Sequence, residues 1–176
     1  MINFRILIKN NPLKLPLRNR AEKNEEWMRE TQGLEICPEC DNVYYKKRWV
    51  HSLAKLGKLS KRFERSKIKS KICPACKMIK DHAFEGEVII EGIPANQKQD
   101  LTNLIHAFGE RAMEKDPQDR IIELEKKNGT YRLITTENQL AVKLGKKIRD
   151  VFKKVDLHIS YSEEPSEVSR IYVKFK

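Results

Sequence analysis

The chain has 176 residues, 39% hydrophobic and 35% charged, against the ~45–50% apolar and ~25% charged of an ordinary globular domain, so a large multidomain enzyme is excluded and two small cores are expected. Its apolar runs, such as Val88-Ile89-Ile90, fall far short of the ~18–20 residues that cross a bilayer, which excludes a transmembrane protein. The net charge of +11 comes from 36 Lys and Arg against 25 Asp and Glu, and its placement along the chain carries the first clue to function.

Residues 1–33, rich in charge and holding Pro12 and Pro16, read as an arm with a short helix near Ala21 to Thr31 that orders on a partner. The stretch Phe4 to Ile8 is interrupted by Arg5 and has no small-residue cleavage site after it. It makes no secretory signal, and the expected compartment is the cytoplasm.

Residues 34–84 hold all four cysteines, in Cys37-Pro38-Glu39-Cys40 and Cys73-Pro74-Ala75-Cys76, with 32 residues between the pairs. A Cys-Pro-x-Cys turn aims two thiolates at one ion, and two such turns complete the tetrahedral four-sulfur shell that zinc accepts. The expectation is one structural zinc ion on Cys37, Cys40, Cys73 and Cys76, because a closed shell leaves no position for water or substrate. The gap exceeds the usual ~15–20 residues, which fits a zinc ribbon whose central loop has been extended. Iron uses the same four thiolates, and spacing does not separate the two metals. A redox dithiol would need only one pair near a βαβ pattern, and structural disulfides are disfavoured in a reducing cytosol.

A glycine often follows such a knuckle, and here Asp41 and Lys77 stand in its place. Asp tolerates positive φ better than Lys, so the first pair is expected to make the better-formed knuckle. His51 and His82, just beyond the pairs, read as surface or packing residues. Trp49, Tyr44 and Tyr45 read as a small aromatic core closing the ribbon rather than as base-stacking groups.

From Lys46 to Lys80 there are thirteen Lys and Arg against a single acid, Glu64, so the entire cationic excess of the chain sits in this segment. Such a block draws polyanions, whereas the lysine-rich surfaces of heat-adapted proteins mix both signs. After Lys46, Lys47 and Arg48, the residues Lys55, Lys58, Arg62, Arg65 and Lys69 recur at the spacing of one helical face. Leu53, Leu56, Leu59 and Phe63 fall on another side, predicting an amphipathic helix from about Ser52 to Arg65. At ~22 Å it is long enough to follow several phosphates of a nucleic acid. Its narrow apolar side without Trp argues against a membrane surface.

Residues 85–176 alternate aliphatic runs and helical periods. Strands are expected at Glu87 to Gly92, Arg120 to Lys126, Tyr131 to Thr135, Val155 to Tyr161 and Val168 to Phe175. Helices are expected at Asn96 to Lys115, with Leu101, Leu104, Ile105, Phe108 and Met113 buried, and at Glu137 to Lys153, with Leu140, Leu144, Ile148, Val151 and Phe152 buried. Asn128-Gly129 signals a hairpin. This order predicts an α+β fold: a ferredoxin-like βαββαβ sandwich with one extra strand, its two helices on one face of an antiparallel sheet. In the last strand Arg170, Tyr172, Lys174 and Lys176 share one face, and Arg170 and Lys174 are candidate phosphate contacts.

No enzyme constellation emerges, since the chain has neither a Gly-rich phosphate loop nor a His-Glu-x-x-His motif. Ser52-Leu53-Ala54-Lys55 matches Ser-x-x-Lys without its companion motifs.

At Cys37 to Trp49, Cys73 to Asp81 and Leu133 to Gly145 the sequence resembles the Nmd-three family, and more closely that family's short prokaryotic relatives, over roughly residues 34 to 176. The larger members are adaptors that bind the large ribosomal subunit during maturation and export and carry paired-cysteine zinc knuckles. The resemblance implies that Cys37, Cys40, Cys73 and Cys76 are metal ligands, and that Thr135, Thr136, Leu140 and Ala141 belong to a recurrent strand-to-helix segment. This chain has fewer knuckles and lacks the additional domains, so export is not implied. The combined expectation is a cytoplasmic, zinc-containing protein that binds ribosomal RNA or the large ribosomal subunit. The alternatives are a zinc-ribbon DNA-binding transcriptional regulator and an iron or redox metalloprotein.

Overall fold

The computed structural model describes residues 34–51, 69–162 and 168–176. The expected arm at 1–33 and the expected helix with Lys55, Lys58, Arg62 and Arg65 lie outside the described residues. Those described fall into two compact units, 34–76 and 77–176. Among them no helix is long and apolar enough to cross a membrane.

The first unit is built on four short strands, β1 (Glu35–Ile36), β2 (Val43–Tyr45), β3 (Arg48–Val50) and β4 (Lys69–Ser70), in the sheet order β3-β2-β1-β4. Strands β1 and β2 are antiparallel, with Ile36 opposite Val43, and β2 and β3 pair through a two-residue turn. β4 lies parallel to β1, Glu35 beside Lys69. Alternation along the strands sends Val43 and Tyr45 to the interior with Leu34, all three buried. Helix α1 (Pro74–Asp81) follows. Its first residue is a proline, whose missing N–H is no loss at a helix start. It ends at His82, which adopts φ 52, while the Ala83 N–H donates back to the Met78 carbonyl at 3.0 Å. That is a left-handed helix cap made with histidine where glycine is usual.

The second unit runs β5 (Gly86–Glu91), a 3₁₀ turn at Ala95–Gln97, α2 (Lys98–Lys115), β6 (Ile121–Lys127), β7 (Thr130–Thr135), α3 (Asn138–Phe152), β8 (Val155–Tyr161) and β9 (Ser169–Phe175). Every expected element forms within a residue or two of its expected bounds. The β6–β7 hairpin closes on Asn128-Gly129, both at positive φ. Its core joins Val88, Ile90, Leu101, Ile105, Leu133, Leu144, Ile148, Ile171 and Val173. Each strand contributes every second residue, and each helix its 3.6-period stripe. Val151, expected inside, is 46% exposed. Phe152, also expected inside, is half-buried and packs edge-on against Phe175 at 5.2 Å between ring centroids.

The sheet order is β6-β7-β5-β9-β8. An antiparallel sheet was expected, and the structure corrects this: β9 pairs parallel with β5 along its whole length, Val88 beside Ile171, so the sheet is mixed. The reason is that β8 and β9 form an antiparallel pair whose second strand, not its first, docks on the centre of the sheet.

The Thr135–Ala141 segment proves to be a buried staple. The Thr135 hydroxyl donates to the Glu137 carbonyl at 2.8 Å and the Thr136 hydroxyl to the Gln118 carbonyl at 2.6 Å, while the Arg120 N–H donates to the Thr136 Oγ1 at 2.8 Å. Both threonines are almost fully buried. Their hydroxyls thus satisfy backbone groups just before β6 and where β7 passes into α3, which burial would otherwise leave unpaired at a cost of ~1–3 kcal/mol each.

Candidate metal centre

The first cysteine pair sits in the turn of the β1–β2 hairpin. The Cys37 N–H donates to the Asn42 carbonyl at 2.8 Å, and the Asp41 N–H to the Cys37 carbonyl at 2.9 Å, with Asp41 at φ 57. This is the knuckle expected at Cys37-Pro38-Glu39-Cys40, and Asp41 takes the left-handed conformation expected of it.

The second pair is held differently. Cys73 immediately precedes α1 and Cys76 lies in its first turn, so the expected second knuckle is replaced by a helix N-terminus. Lys77 is helical and needs no positive φ. The physical gain is electrostatic, because the exposed N–H groups and the positive end of the helix dipole face the sulfurs. The Cys76 N–H points at the Cys73 Sγ at 3.4 Å, and the Cys73 N–H at the Cys37 Sγ at 3.3 Å.

All four Sγ atoms lie within 4.8 Å of one another, and none is in a disulfide. The Cys40 and Cys73 sulfurs are 3.7 Å apart, close to the ~3.8 Å edge of a tetrahedron with ~2.3 Å metal–sulfur bonds. Cys37, Cys73 and Cys76 are buried and Cys40 is partly exposed. Hydrogen bonds from the Cys40 and Cys76 side chains, joined by the Cys76 backbone N–H, pull the Cys73 thiol down to about 3, outweighing its burial. The Cys73 sulfur is thereby favoured as a thiolate, the form that binds metal. A set of four converging sulfurs fits a thiophilic ion such as zinc, and Cys37, Cys40, Cys73 and Cys76 are the residues that would hold it.

Around this centre the sequence expectations resolve individually. Trp49 packs against the cysteine cluster and lies 5.4 Å from Tyr44 between ring centroids, and Tyr45 is buried. Glu35 takes Lys71 in an ion pair at 2.8 Å, and that carboxylate raises the Lys71 pKa. His51 and His82 are not among the residues whose ligand atoms converge.

Of the expected nucleic-acid residues, Lys46, Lys47 and Arg48 are exposed around the β2–β3 turn, and Lys69 is exposed on β4. In the second unit, Lys174 is exposed on the sheet face opposite the core. On that face Arg170 is engaged: its Nε donates to the Glu87 Oε2 at 3.2 Å, while the Arg132 Nε donates to the Glu87 Oε1 at 2.6 Å. Glu87 is 8% exposed, so one buried carboxylate bridges two guanidiniums across the strands β7, β5 and β9. The sequence pattern gave no sign of this clamp, because its three members are remote in the chain and meet only through strand pairing.

Compared with known proteins, the chain matches no family model, no curated protein and no solved structure.

Proposed function

We propose that this is a zinc-containing RNA-binding protein that associates with ribosomal RNA in the large ribosomal subunit, and that its role is not catalytic. The observation that carries the reading is the four-sulfur cluster, whose two halves bracket the stretch of chain between Cys40 and Cys73, where most of the cationic excess lies. A structural ion fixes both ends of a cationic segment, and lysine and arginine then supply affinity for phosphate. Resemblance to the Nmd-three family supports the ribosomal partner. Zinc rather than iron suits a lysine-rich setting made for anion binding, and a closed sulfur shell offers no open coordination position for catalysis.

For the second unit we propose an elaborated ferredoxin-like sandwich. Supporting this is the placement of β7 between β6 and β5, as in that fold's split βαβ unit, with β8 displaced to the edge by the insertion of β9.

Sedimentation of cell lysate through a sucrose gradient, with crosslinking to identify the RNA, tests the partner. The protein is expected in large-subunit fractions, and its absence from all ribosomal fractions refutes the assignment. If about five phosphates are neutralised, affinity for single-stranded RNA falls roughly 10²-fold between 50 and 200 mM salt. Preference for random duplex DNA over ribosomal RNA in competition would instead favour a DNA-binding regulator. Metal analysis is expected to give one zinc per chain in a colourless protein, where an iron site would be red.

A further inference from the structure

The chain contains two tight two-residue hairpin turns among its described residues, and they use opposite chemistry. Between β6 and β7 the turn is Asn128-Gly129, with φ of 51° and 83°. Between β2 and β3 it is Lys46-Lys47, with φ of 48° and 65°, flanked by the paired residues Tyr45 and Arg48. Both turns need positive φ at both central positions, the arrangement for which Asn-Gly is strongly preferred. A left-handed lysine carries a Cβ against its own carbonyl, so the second turn bears backbone strain twice over where the first has almost none.

The strained turn is the one with charge. Lys46, Lys47 and Arg48 are consecutive and exposed, and Lys46 Nζ sits 5.4 Å from the centre of the Tyr45 ring, which steadies the ammonium over a buried aromatic. Neither Lys47 nor Arg48 is ion-paired to an acid among the described residues. Pairing register places the turn at the far end of the sheet from the Cys37–Cys40 knuckle. From Val43, beside the knuckle, to Lys46 is three residue rises, ~10 Å. The negative charge of a thiolate–metal centre is thus held at one end and the cations at the other, beyond the range at which they neutralise each other strongly.

We propose that the Lys46-Lys47-Arg48 hairpin tip is a pre-formed phosphate-contact site for a nucleic-acid backbone. It rests on the reading of the protein as RNA-binding and names the rigid element that makes the contact. Strain is retained because a tight turn projects adjacent cations from a fixed backbone, so little order has to be gained on binding.

The test is the double substitution Lys46→Asn with Lys47→Gly in the full-length, metal-loaded protein. It installs the turn pair already used at Asn128-Gly129 and removes two charges. The comparison is Lys146→Gln with Lys147→Gln, which removes two charges from the exposed side of α3. The probe is a single-stranded ribosomal RNA fragment of about 20 nucleotides, titrated at several salt concentrations. The Asn-Gly variant is expected to keep its metal and melt no lower than the parent. Its affinity should fall about 25-fold at 0.1 M salt and its salt slope flatten by about 1.4, the effect of two lost contacts. The α3 variant should change little.

Three results would overturn the proposal: equal binding by parent and Asn-Gly variant, an equal loss in both variants, or a lower melting point for the Asn-Gly variant. In each of these the parent still binds and the RNA reading stands. If the parent itself fails to bind, that reading falls and the hairpin assignment with it.

Discussion

Removing the metal should unfold one unit and spare the other. Among the described residues of 34–76, the large apolar side chains buried outside the cysteine cluster are Leu34, Val43 and Tyr45, each contributing ~1.5–3 kcal/mol. Cys37, Cys73, Ala75 and Cys76 form a further buried cluster, the metal site itself. A structural zinc ion contributes ~10–16 kcal/mol of apparent folding free energy in comparable small domains, more than those three side chains together. The second unit has a core of fifteen buried residues and no cysteine, so it owes nothing to the ion. Hydrogen exchange read segment by segment by mass spectrometry, before and after a strong zinc chelator, is the assay. Amides of β1 to β4 and of the first turn of α1 should lose protection while those of β5 to β9 keep it, and Cys73→Ser should reproduce the pattern without chelator. Persistent protection in β1 and β2 of the metal-free protein would refute the argument that the ion holds this unit together.

Three further outcomes follow from the second unit. Glu87→Ala leaves Arg132 and Arg170 facing each other without their carboxylate; because the guanidiniums are only half-buried, the expected loss is about 2 kcal/mol in urea denaturation rather than the full cost of a buried pair. Gly145→Ala should destabilise even though alanine favours a helix by ~1 kcal/mol, since its Cβ would stand 2.5 Å from the Ile171 Cγ2 and 3.1 Å from the Leu157 Cδ1. In a double-mutant cycle Ile171→Ala should recover part of that loss, and strict additivity would disprove the contact. Burial, reinforced by Glu85, Asp119 and Asp116, raises the Glu137 pKa, and burial beside Asp116 raises that of Asp119. The folded state therefore holds these protons more tightly than the unfolded chain, and thermal stability should decline as pH rises from the ordinary carboxylate range through the raised values. Glu137→Gln should flatten that decline, and an unchanged slope would exclude this cause.

The elements of the second unit were legible because each announces itself locally: helical stripes at Leu101 and Ile105 or Leu140, Leu144 and Ile148, alternation in Arg170 to Phe175, and the Asn128-Gly129 turn. The parallel pairing of β5 with β9 was not, because sheet order depends on which strand of the last hairpin reaches the centre, and no local periodicity encodes that. Cys37-Pro38-Glu39-Cys40 could be read as a knuckle, and Asp41 behaves as its chemistry suggested. The identical spacing at Cys73-Pro74-Ala75-Cys76 concealed a helix start. Pro74 and the following Ala75 to Lys80 carried that signal, but the cysteine motif outweighed it. Glu87 shows the opposite limit: an acid in an aliphatic run gives no hint that two distant arginines will meet it.

The position of β9 has a bearing on how the protein comes into being. This strand follows β5 to β8 along the chain and fills the slot between β5 and β8 in the sheet. Until it has emerged during translation, β5 has an open edge and β8 has no neighbour in the sheet. The unit therefore cannot complete its architecture gradually as it is made. A nascent chain halted before Ser169 would expose the bonding edge of β5, the kind of unpaired edge that templates misassembly between chains, until β9 covers it.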